Sequence, residues 1–362
     1  MKYAISIDWL ALYCSIDSGS FARAADLTPE PFRKRPFIVK KEPYGTRQFA
    51  ELHKVTLNDE EFCEIQSNPY SGILRKKDCI VRVVNRQLYR AGLFYDLQTF
   101  FDEFGIAVQG ISRCDLCADF NRFKCYECIP FISDFLAGKI RHKGRGKGAA
   151  YFDHGSVKVG PHSQAYVKYS GLSFGSNESD CRVYLYNKTF ELQSVKDKPY
   201  IRDLWKKTGL DLTKDVWRLE VSLKGKAKKF KDKISGMTIE VQKKDLEDDT
   251  EVCKLFHTFV RKYFAFVVNR PNITNITREP LLQLFDDNSV YIHQVLRYVS
   301  SGNRTERILI KQLWQMSETY RGMGLHTDED ITREMAVSLA EGTDLMNWFR
   351  EKKSGWSKPT RK

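Results

Sequence analysis

The chain alternates polar and apolar residues in short segments through its first two-thirds, a pattern typical of β-strands. Residues 88–104 differ, because their apolar positions recur at helical spacing up to Gly105. A long strand is predicted directly afterwards, over about 106–120. Three earlier strands are predicted over 3–14, 46–56 and 79–85.

Downstream of residue 120 the pattern predicts a mixed succession of elements that changes to helix throughout from about residue 245. Mixed strands and helices with hairpin-like runs favour an α+β fold built on a largely antiparallel sheet. The predicted elements are a helix over 128–138, strands over 164–174, 181–188 and 214–224, and helices over 245–268, 279–300, 304–321 and 328–352.

This change of pattern predicts three regions. Residues 1–225 are expected to form the sheet domain, and the lysine-rich segment 226–244 a basic linker. Residues 245–362 are expected to form a helical region for DNA recognition or oligomerisation. Packing for stability alone is the alternative role of these helices.

Net charge favours a class of partner, and cysteine content favours a cellular compartment. The 362 residues carry a formal charge of +13, which favours a polyanionic partner, first nucleic acid and second an anionic membrane surface. Nine cysteines and an opening segment that is typical of a first strand predict reduced thiols in the cytoplasm. A basic soluble protein with no such partner is the alternative.

Three predicted strands each place chemically active side chains on one face. Because side chains alternate along a strand, each polar set lies opposite an apolar set. If the apolar sets cover one core, carboxylates, tyrosines and cations share the other surface. The polar sets are Arg113, Asp115 and Asp119; Arg182, Tyr184, Tyr186 and Lys188; and Arg218 and Glu220.

These strands resemble those of the replication-initiation factors of rolling-circle plasmids and mobile elements, the Rep_trans initiators, whose core some relaxases share. The similarity covers about residues 5–225 and is carried by short motifs in the family's order. They are Ile7-Asp8-Trp9-Leu10, Ser112-Arg113-Cys114-Asp115-Leu116-Cys117-Ala118-Asp119, Phe174-Gly175-Ser176-Asn177-Glu178-Ser179, Tyr184-Leu185-Tyr186-Asn187-Lys188 with Glu191, and Trp217-Arg218-Leu219-Glu220-Val221-Ser222-Leu223-Lys224.

The resemblance implies a fold like that of HUH endonucleases and a tyrosine, Tyr186, that nicks one DNA strand and holds its 5′ phosphate. Lys188 would assist Tyr186. A divalent metal, Mg²⁺ or Mn²⁺, is expected near three acidic residues: Asp115, Asp119 and Glu220. The DNA contacts expected on these strands are Arg113, Arg182, Tyr184, Asn187, Arg218 and Lys224.

Alternatives exist for several of these residues. Asp115 and Asp119 also suit ion pairs with arginines of the same strands, Arg113 and Arg218. Tyr184 shares the face of Tyr186 and is interpreted as a base-stacking residue, with a second nucleophile as the alternative. The cysteines at 114, 117, 125 and 128 are interpreted as buried thiols, with a zinc site as the alternative.

The sequence therefore predicts a DNA nicking and religating protein that starts rolling-circle replication. Its expected partners are origin DNA as duplex, hairpin or single strand, and a host helicase. No membrane partner is expected, and a homodimer is an alternative use of the helical region. The rival functions are a relaxase for conjugative transfer and a non-enzymatic basic DNA-binding protein.

Overall fold

A sheet of ten antiparallel strands forms the centre of the computed structural model. Its strand order is β2-β3-β4-β5-β1-β6-β13-β12-β11-β8. The structure describes residues 1–16, 36–70, 74–143, 149–151, 158–159, 165–166, 171–175, 179–194, 197–232, 237–270, 279–286 and 295–297. The ten strands are β1 (Tyr3–Ile16), β2 (Phe37–Lys41), β3 (Phe49–Leu57), β4 (Glu60–Pro69), β5 (Asp78–Val83), β6 (Ile106–Phe120), β8 (Ala149–Tyr151), β11 (Gly171–Phe174), β12 (Cys181–Asn187) and β13 (Trp217–Lys224).

Helices and shorter strands surround this sheet, which confirms the predicted α+β class. The helices are α1 (Leu93–Phe104), α2 (Cys128–Leu136), α3 (Lys188–Ser194), α4 (Pro199–Thr208) and α5 (Asp249–Tyr263). Three 3-10 helices span Asn85–Tyr89, Gly225–Lys228 and Lys243–Leu246. The short strands are β7 (Ile140–His142), β9 (Lys158–Val159), β10 (Ala165–Tyr166), β14 (Lys229–Asp232), β15 (Thr238–Glu240), β16 (Phe266–Val268) and β17 (Val295–Arg297).

The apolar face of the sheet packs on the main hydrophobic core. Leu116, Leu185 and Leu219, from three adjacent strands, are fully buried there. Helix α5 places Phe256 and Phe259 against the same core. This face therefore follows the alternation that the sequence predicted.

A smaller apolar cluster covers one end of the opposite, polar face. Helices α3 and α4 supply Leu192, Ile201 and Trp205, which pack on Ala4 of β1 and Val216. Pro199 begins α4, and Gly209 ends it in the left-handed conformation that glycine tolerates, with φ of 69°. The rest of the polar face lies outside this cluster.

The predicted division of the chain changes in two places. Residues 226–244, expected to be a linker, contain β14 and β15, and Phe230 and Val241 are buried in the main core. Lys229, next to Phe230 in β14, is exposed, as alternation along a half-buried strand requires. Residues 1–298 accordingly form one compact unit.

The helix expected over 279–300 is also wrong in its described parts. Residues 280–284 are non-helical, and Val295–Arg297 pairs with β14 as a strand. The helices expected over 304–321 and 328–352 lie outside the described residues. No helix among the described residues is both long and apolar enough to span a membrane.

Candidate active site

The polar face gathers the predicted residues in successive rows across strands β12, β13 and β6. In the first row Tyr186 lies opposite Arg218, which lies opposite Asp119. In the next row Tyr184 lies opposite Glu220. Asp115 and Arg113 follow in the rows beyond, opposite Ser222 and Lys224. The face predicted from alternation is therefore the one that the strand registers assemble.

The hydroxyl of Tyr186 lies between the carboxylate of Glu220 and the ammonium group of Lys188 on this face. This hydroxyl donates to Oε2 of Glu220 at 3.3 Å and accepts from Nζ of Lys188 at 3.4 Å. Lys188 is the first residue of α3 rather than the last of the strand, and its side chain is 1% exposed. It forms an ion pair with Glu191 one helical turn later. The buried cation is thus held beside the phenol by the helix that follows β12.

The electrostatics of this pair keep the proton on the tyrosine and strengthen the glutamate as a base. Burial, followed by the nearby charge of Glu220, raises the pKa of Tyr186 well above its usual value. Burial, together with Asp115 and Asp8, raises the pKa of Glu220 to about 7. Tyr186 is therefore a protonated phenol at neutral pH, and Glu220 is a stronger base than an ordinary carboxylate.

The row that contains Tyr186 also contains a buried network of ion pairs. Arg218 is fully buried and donates to both oxygens of Asp119, at 2.6 and 2.7 Å, and to Oδ1 of Asp8 at 2.5 Å. Trp205 of α4 donates to Asp119 at 2.7 Å. We call these four residues, Asp8, Asp119, Trp205 and Arg218, the sealed end of the polar face.

The sealed end bears on two predicted roles. Arg218 has no exposed side-chain surface, and its contact to DNA stays a prediction. Asp119 is likewise unexposed, and its two oxygens are occupied by Arg218 and Trp205. This is the ion-pair alternative, because a carboxylate that compensates a buried guanidinium cannot leave it without a large penalty.

The opposite end of the polar face is half-exposed. Arg113 is paired with both oxygens of Asp115, and its side chain is 33% exposed. Its guanidinium also lies 4.7 Å from the ring of Trp9, which Arg82 approaches from the other neighbouring strand at 4.8 Å. We call Trp9, Arg82, Arg113 and Asp115 the open end. Here too the predicted aspartate has an arginine partner, but one that reaches solvent.

Sequence reasoning missed a group of polar residues beside the sealed end. Asp8 lies in an irregularity of β1 between Ile7 and Trp9, which turns its side chain toward Arg218. Although burial opposes ionisation, Arg218 and Lys188 hold the pKa of Asp8 well below its usual range. A single charge inside the apolar first strand was the available signal. Asn85, Tyr89, Lys198 and Tyr200 complete the group.

The remaining predicted DNA contacts divide by exposure. Asn187 is buried, accepts from the Phe190 amide as the N-cap of α3, and donates to Asp215, so both groups of its amide have protein partners. Arg182 lies over the ring of Tyr184 at 4.1 Å, and both are half-buried. Lys224 is half-buried at the end of β13 beside Arg113. These last three stay available as predicted contacts.

The donors for a metal ion fit only in part. Within the described ranges no three His, Cys, Asp or Glu side chains come together as a metal site. Glu220 and Asp115 nevertheless lie in adjacent rows, and their mutual repulsion contributes to the raised pKa of Glu220. Mg²⁺ is commonly held by one or two carboxylates plus water and substrate phosphate. This carboxylate pair therefore suits such an ion, without Asp119.

The cysteine spacing does not converge on a zinc site. Cys114 is buried in the main core, whereas Cys117 lies on the polar face 3.2 Å from the hydroxyl of Ser6. The two side chains thus point to opposite sides of β6, as alternation predicted. Cys125 is exposed and Cys128 buried, and all four are free thiols.

Comparisons with known proteins add a likeness to solved structures. No family model matches the chain, and no curated protein matches it. A solved structure of a rolling circle replication initiator protein from Geobacillus stearothermophilus is similar at 14% identity and a TM-score of 0.44. The similarity covers 78% of this chain and 93% of that one.

Proposed function

We propose that this protein nicks and religates single-stranded DNA through Tyr186 and so initiates rolling-circle replication. The observation that carries the proposal is the placement of the Tyr186 hydroxyl between Glu220 and the buried Lys188. A tyrosine needs an adjacent base to become a nucleophile, and a phosphodiester needs nearby cations to compensate its charge. Both are present here, on residues of the motifs that resemble those of the initiators.

In this mechanism the Tyr186 oxygen attacks phosphorus while Glu220 accepts the phenolic proton. A bond forms between the phenolic oxygen and phosphorus, and the bond to the 3′ oxygen breaks. That oxygen leaves with the electron pair and takes up a proton. One phosphodiester is exchanged for another, so religation by the released 3′ hydroxyl needs no external energy source.

A divalent ion is part of the proposal. Glu220 and Asp115 would hold Mg²⁺ or Mn²⁺, which would withdraw charge from the nonbridging oxygens of the phosphate. Arg113, Arg182 and Tyr184 would guide the single strand along the open part of the polar face, by phosphate contact and stacking. A host helicase would then unwind the duplex from the nick.

The test uses the full chain with labelled single strands from its own genetic element. Tyr186→Phe should abolish cleavage and covalent DNA attachment, because it removes only the attacking oxygen. Tyr184→Phe is the matched control and should weaken cleavage without abolishing it. A phosphotyrosine mapped to Tyr184 by peptide mass spectrometry would overturn the assignment of the nucleophile.

Two rival functions are distinguished by further observations. A non-enzymatic DNA-binding protein would form no covalent adduct with any strand, and Tyr186→Phe would leave its DNA affinity unchanged. A relaxase shares the chemistry and differs in the genes beside it. Nicking at a transfer origin rather than a replication origin would favour the relaxase.

A further inference from the structure

Lys198 lies beside the Tyr186 site and takes no part in the mechanism above. It directly precedes α4, is half-buried, and donates to Oδ1 of Asn85 at 3.3 Å. In the part of the chain that the structure describes, no carboxylate oxygen lies within ion-pair distance of its ammonium group. A lysine that is partly removed from water thus has a neutral amide as its hydrogen-bond partner.

The amide that holds Lys198 is itself fixed in orientation. Asn85 donates to the backbone oxygen of Asp8 at 2.5 Å, which places its NH₂ group on that side. Its Oδ1 accepts from the Tyr200 hydroxyl at 2.7 Å as well as from Lys198. Tyr200 in turn packs against Tyr89, with ring centroids 5.1 Å apart. The position of the ammonium group is therefore set by residues of three different elements.

Two lysines face the same region. Burial, and then the positive charge of Lys188, lowers the pKa of Lys198, because the two ammonium groups repel each other. Asp8 and Glu191 offset part of this repulsion, but Glu191 is paired with Lys188 and Asp8 with Arg218. A phosphate between the two lysines would relieve the repulsion and supply the missing contact to Lys198.

We propose that Lys188 and Lys198 form a phosphate subsite beside Tyr186, in which Lys198 binds a nonbridging oxygen of the DNA strand and Asn85 positions it. This inference rests on the proposed function for its ligand, a DNA phosphodiester. It adds a residue from outside the motifs, directly before the helix that supplies Trp205 to the sealed end. Lys198 contributes both binding of the strand and compensation of the charge that develops on phosphorus.

The first measurement is of binding and needs no cleavage. In the Tyr186→Phe protein, the affinity for a 20-nucleotide oligothymidylate is measured over a range of salt concentrations. Each phosphate contact to a single strand contributes about 0.7 to the slope of log affinity against log salt. Lys198→Met should reduce the slope by about 0.7. Lys198→Arg should restore it.

Lys207→Met is the matched control. Lys207 is exposed near the other end of α4, about 13 Å away along the helix axis. Its substitution should leave the slope unchanged. Thermal unfolding of each variant separates a lost contact from a lost fold. A slope for Lys198→Met equal to that of its parent, in a protein that unfolds at the same temperature, overturns the subsite.

The second measurement is of single-turnover cleavage at saturating strand, in the protein with Tyr186 intact. Lys198→Met should slow cleavage of the bound strand by about a hundredfold, as loss of one charge-stabilising contact does. If the parent cleaves and Lys198→Met changes neither the rate nor the slope, the phosphate subsite is contradicted and the nuclease proposal stands. Absence of cleavage by the parent, with the slope change present, removes the nuclease and leaves the phosphate site.

Discussion

The two ends of the polar face contain the same kind of ion pair in different surroundings. At the sealed end, Arg218 and Asp119 are both 0% exposed and are held by α4 through Trp205. At the open end, Asp115 is 3% exposed, but its partner Arg113 is 33% exposed. The comparison shows that the charges of one end are removed from solvent, whereas those of the other end remain partly in contact with it.

The physical reason lies in desolvation. Two charges buried together cannot be exchanged for solvent or ligand, so the sealed pair is a fixed part of the fold. A half-exposed arginine can exchange its carboxylate partner for a phosphate with only a small change in free energy. Tyr186 lies in the row of the sealed pair, and its hydroxyl reaches Glu220 in the next row. The proposed nucleophile thus has a carboxylate fixed beside it and faces the half-exposed end.

The largest expected effect comes from deleting helix α5, which packs in the main core on the other side of the sheet from the polar face. Deleting residues 245–362 removes α5, whose Leu255, Phe256 and Phe259 are buried in the main core. Each such side chain contributes about 1.5–3 kcal/mol, which together approaches the whole stability of a domain. The truncated protein should fail to fold, as circular dichroism would show.

Deletion of residues 299–362 is the control for this truncation. It leaves α5 and the described core in place, so the protein should fold and retain cleavage of single strands. Loss of duplex origin preference in this variant would assign DNA recognition to the removed segment. A folded, active protein ending at residue 244 would contradict the role of α5 in the core.

The second prediction separates the two ion pairs by stability. Asp119→Ala leaves Arg218 buried with half of its compensation and should lower the free energy of unfolding by about 3–5 kcal/mol. Asp115→Ala leaves an arginine that reaches water and should cost about 1 kcal/mol or less. Urea denaturation measures both. Equal losses for the two variants would mean that the ends do not differ as described.

The third prediction concerns the metal and places it away from the sealed end. Chelation should stop cleavage, and Mg²⁺ or Mn²⁺ should restore it. Glu220→Gln and Asp115→Asn should reproduce the loss while keeping the fold and most single-strand affinity, because each removes an anionic oxygen without changing side-chain size. Undiminished cleavage in chelator, or in both variants, would rule out this metal site.

The smallest expected effects come from the tryptophan at each end. Trp205→Phe loses the bond from the indole to Asp119 and should cost about 1.5–3 kcal/mol, as bonds to charged groups do. Trp9→Phe keeps an aromatic ring between Arg82 and Arg113 and should cost about 0.5–1 kcal/mol. Thermal denaturation of the two variants side by side measures this difference. The reverse order would indicate that the open end is the more rigid one.

Several features of the site could be predicted from the sequence because they depend on alternation alone. The period of a strand placed Tyr184, Tyr186 and Glu220 on one face, and the structure confirms that face. The apolar residues opposite them, such as Leu185 and Leu219, are in the core as expected. The end of α1 at Gly105, with φ of 62°, follows from the same local rules.

Other features could not be predicted because they depend on contacts between distant segments. Local pattern did not distinguish the buried Arg218 from the half-exposed Arg113, since only the packing of α4 separates them. The strand register brings Asp8 to a residue 210 positions away. The linker and the 279–300 helix were wrong because tertiary pairing in a small sheet overrode local preference.

The sequence by itself therefore determined which side chains share a face, the α+β class, and the short motifs that point to a tyrosine nucleophile. Periodicity is a local property, and each strand carries it independently of the others. The tertiary structure decided which charges are desolvated, which aspartate is committed to an arginine, and which lysine lies beside Tyr186. Desolvation of a side chain depends on which element packs over it, and here that element is α4. The packing of α4 on the strands depends on the whole fold and not on any one segment.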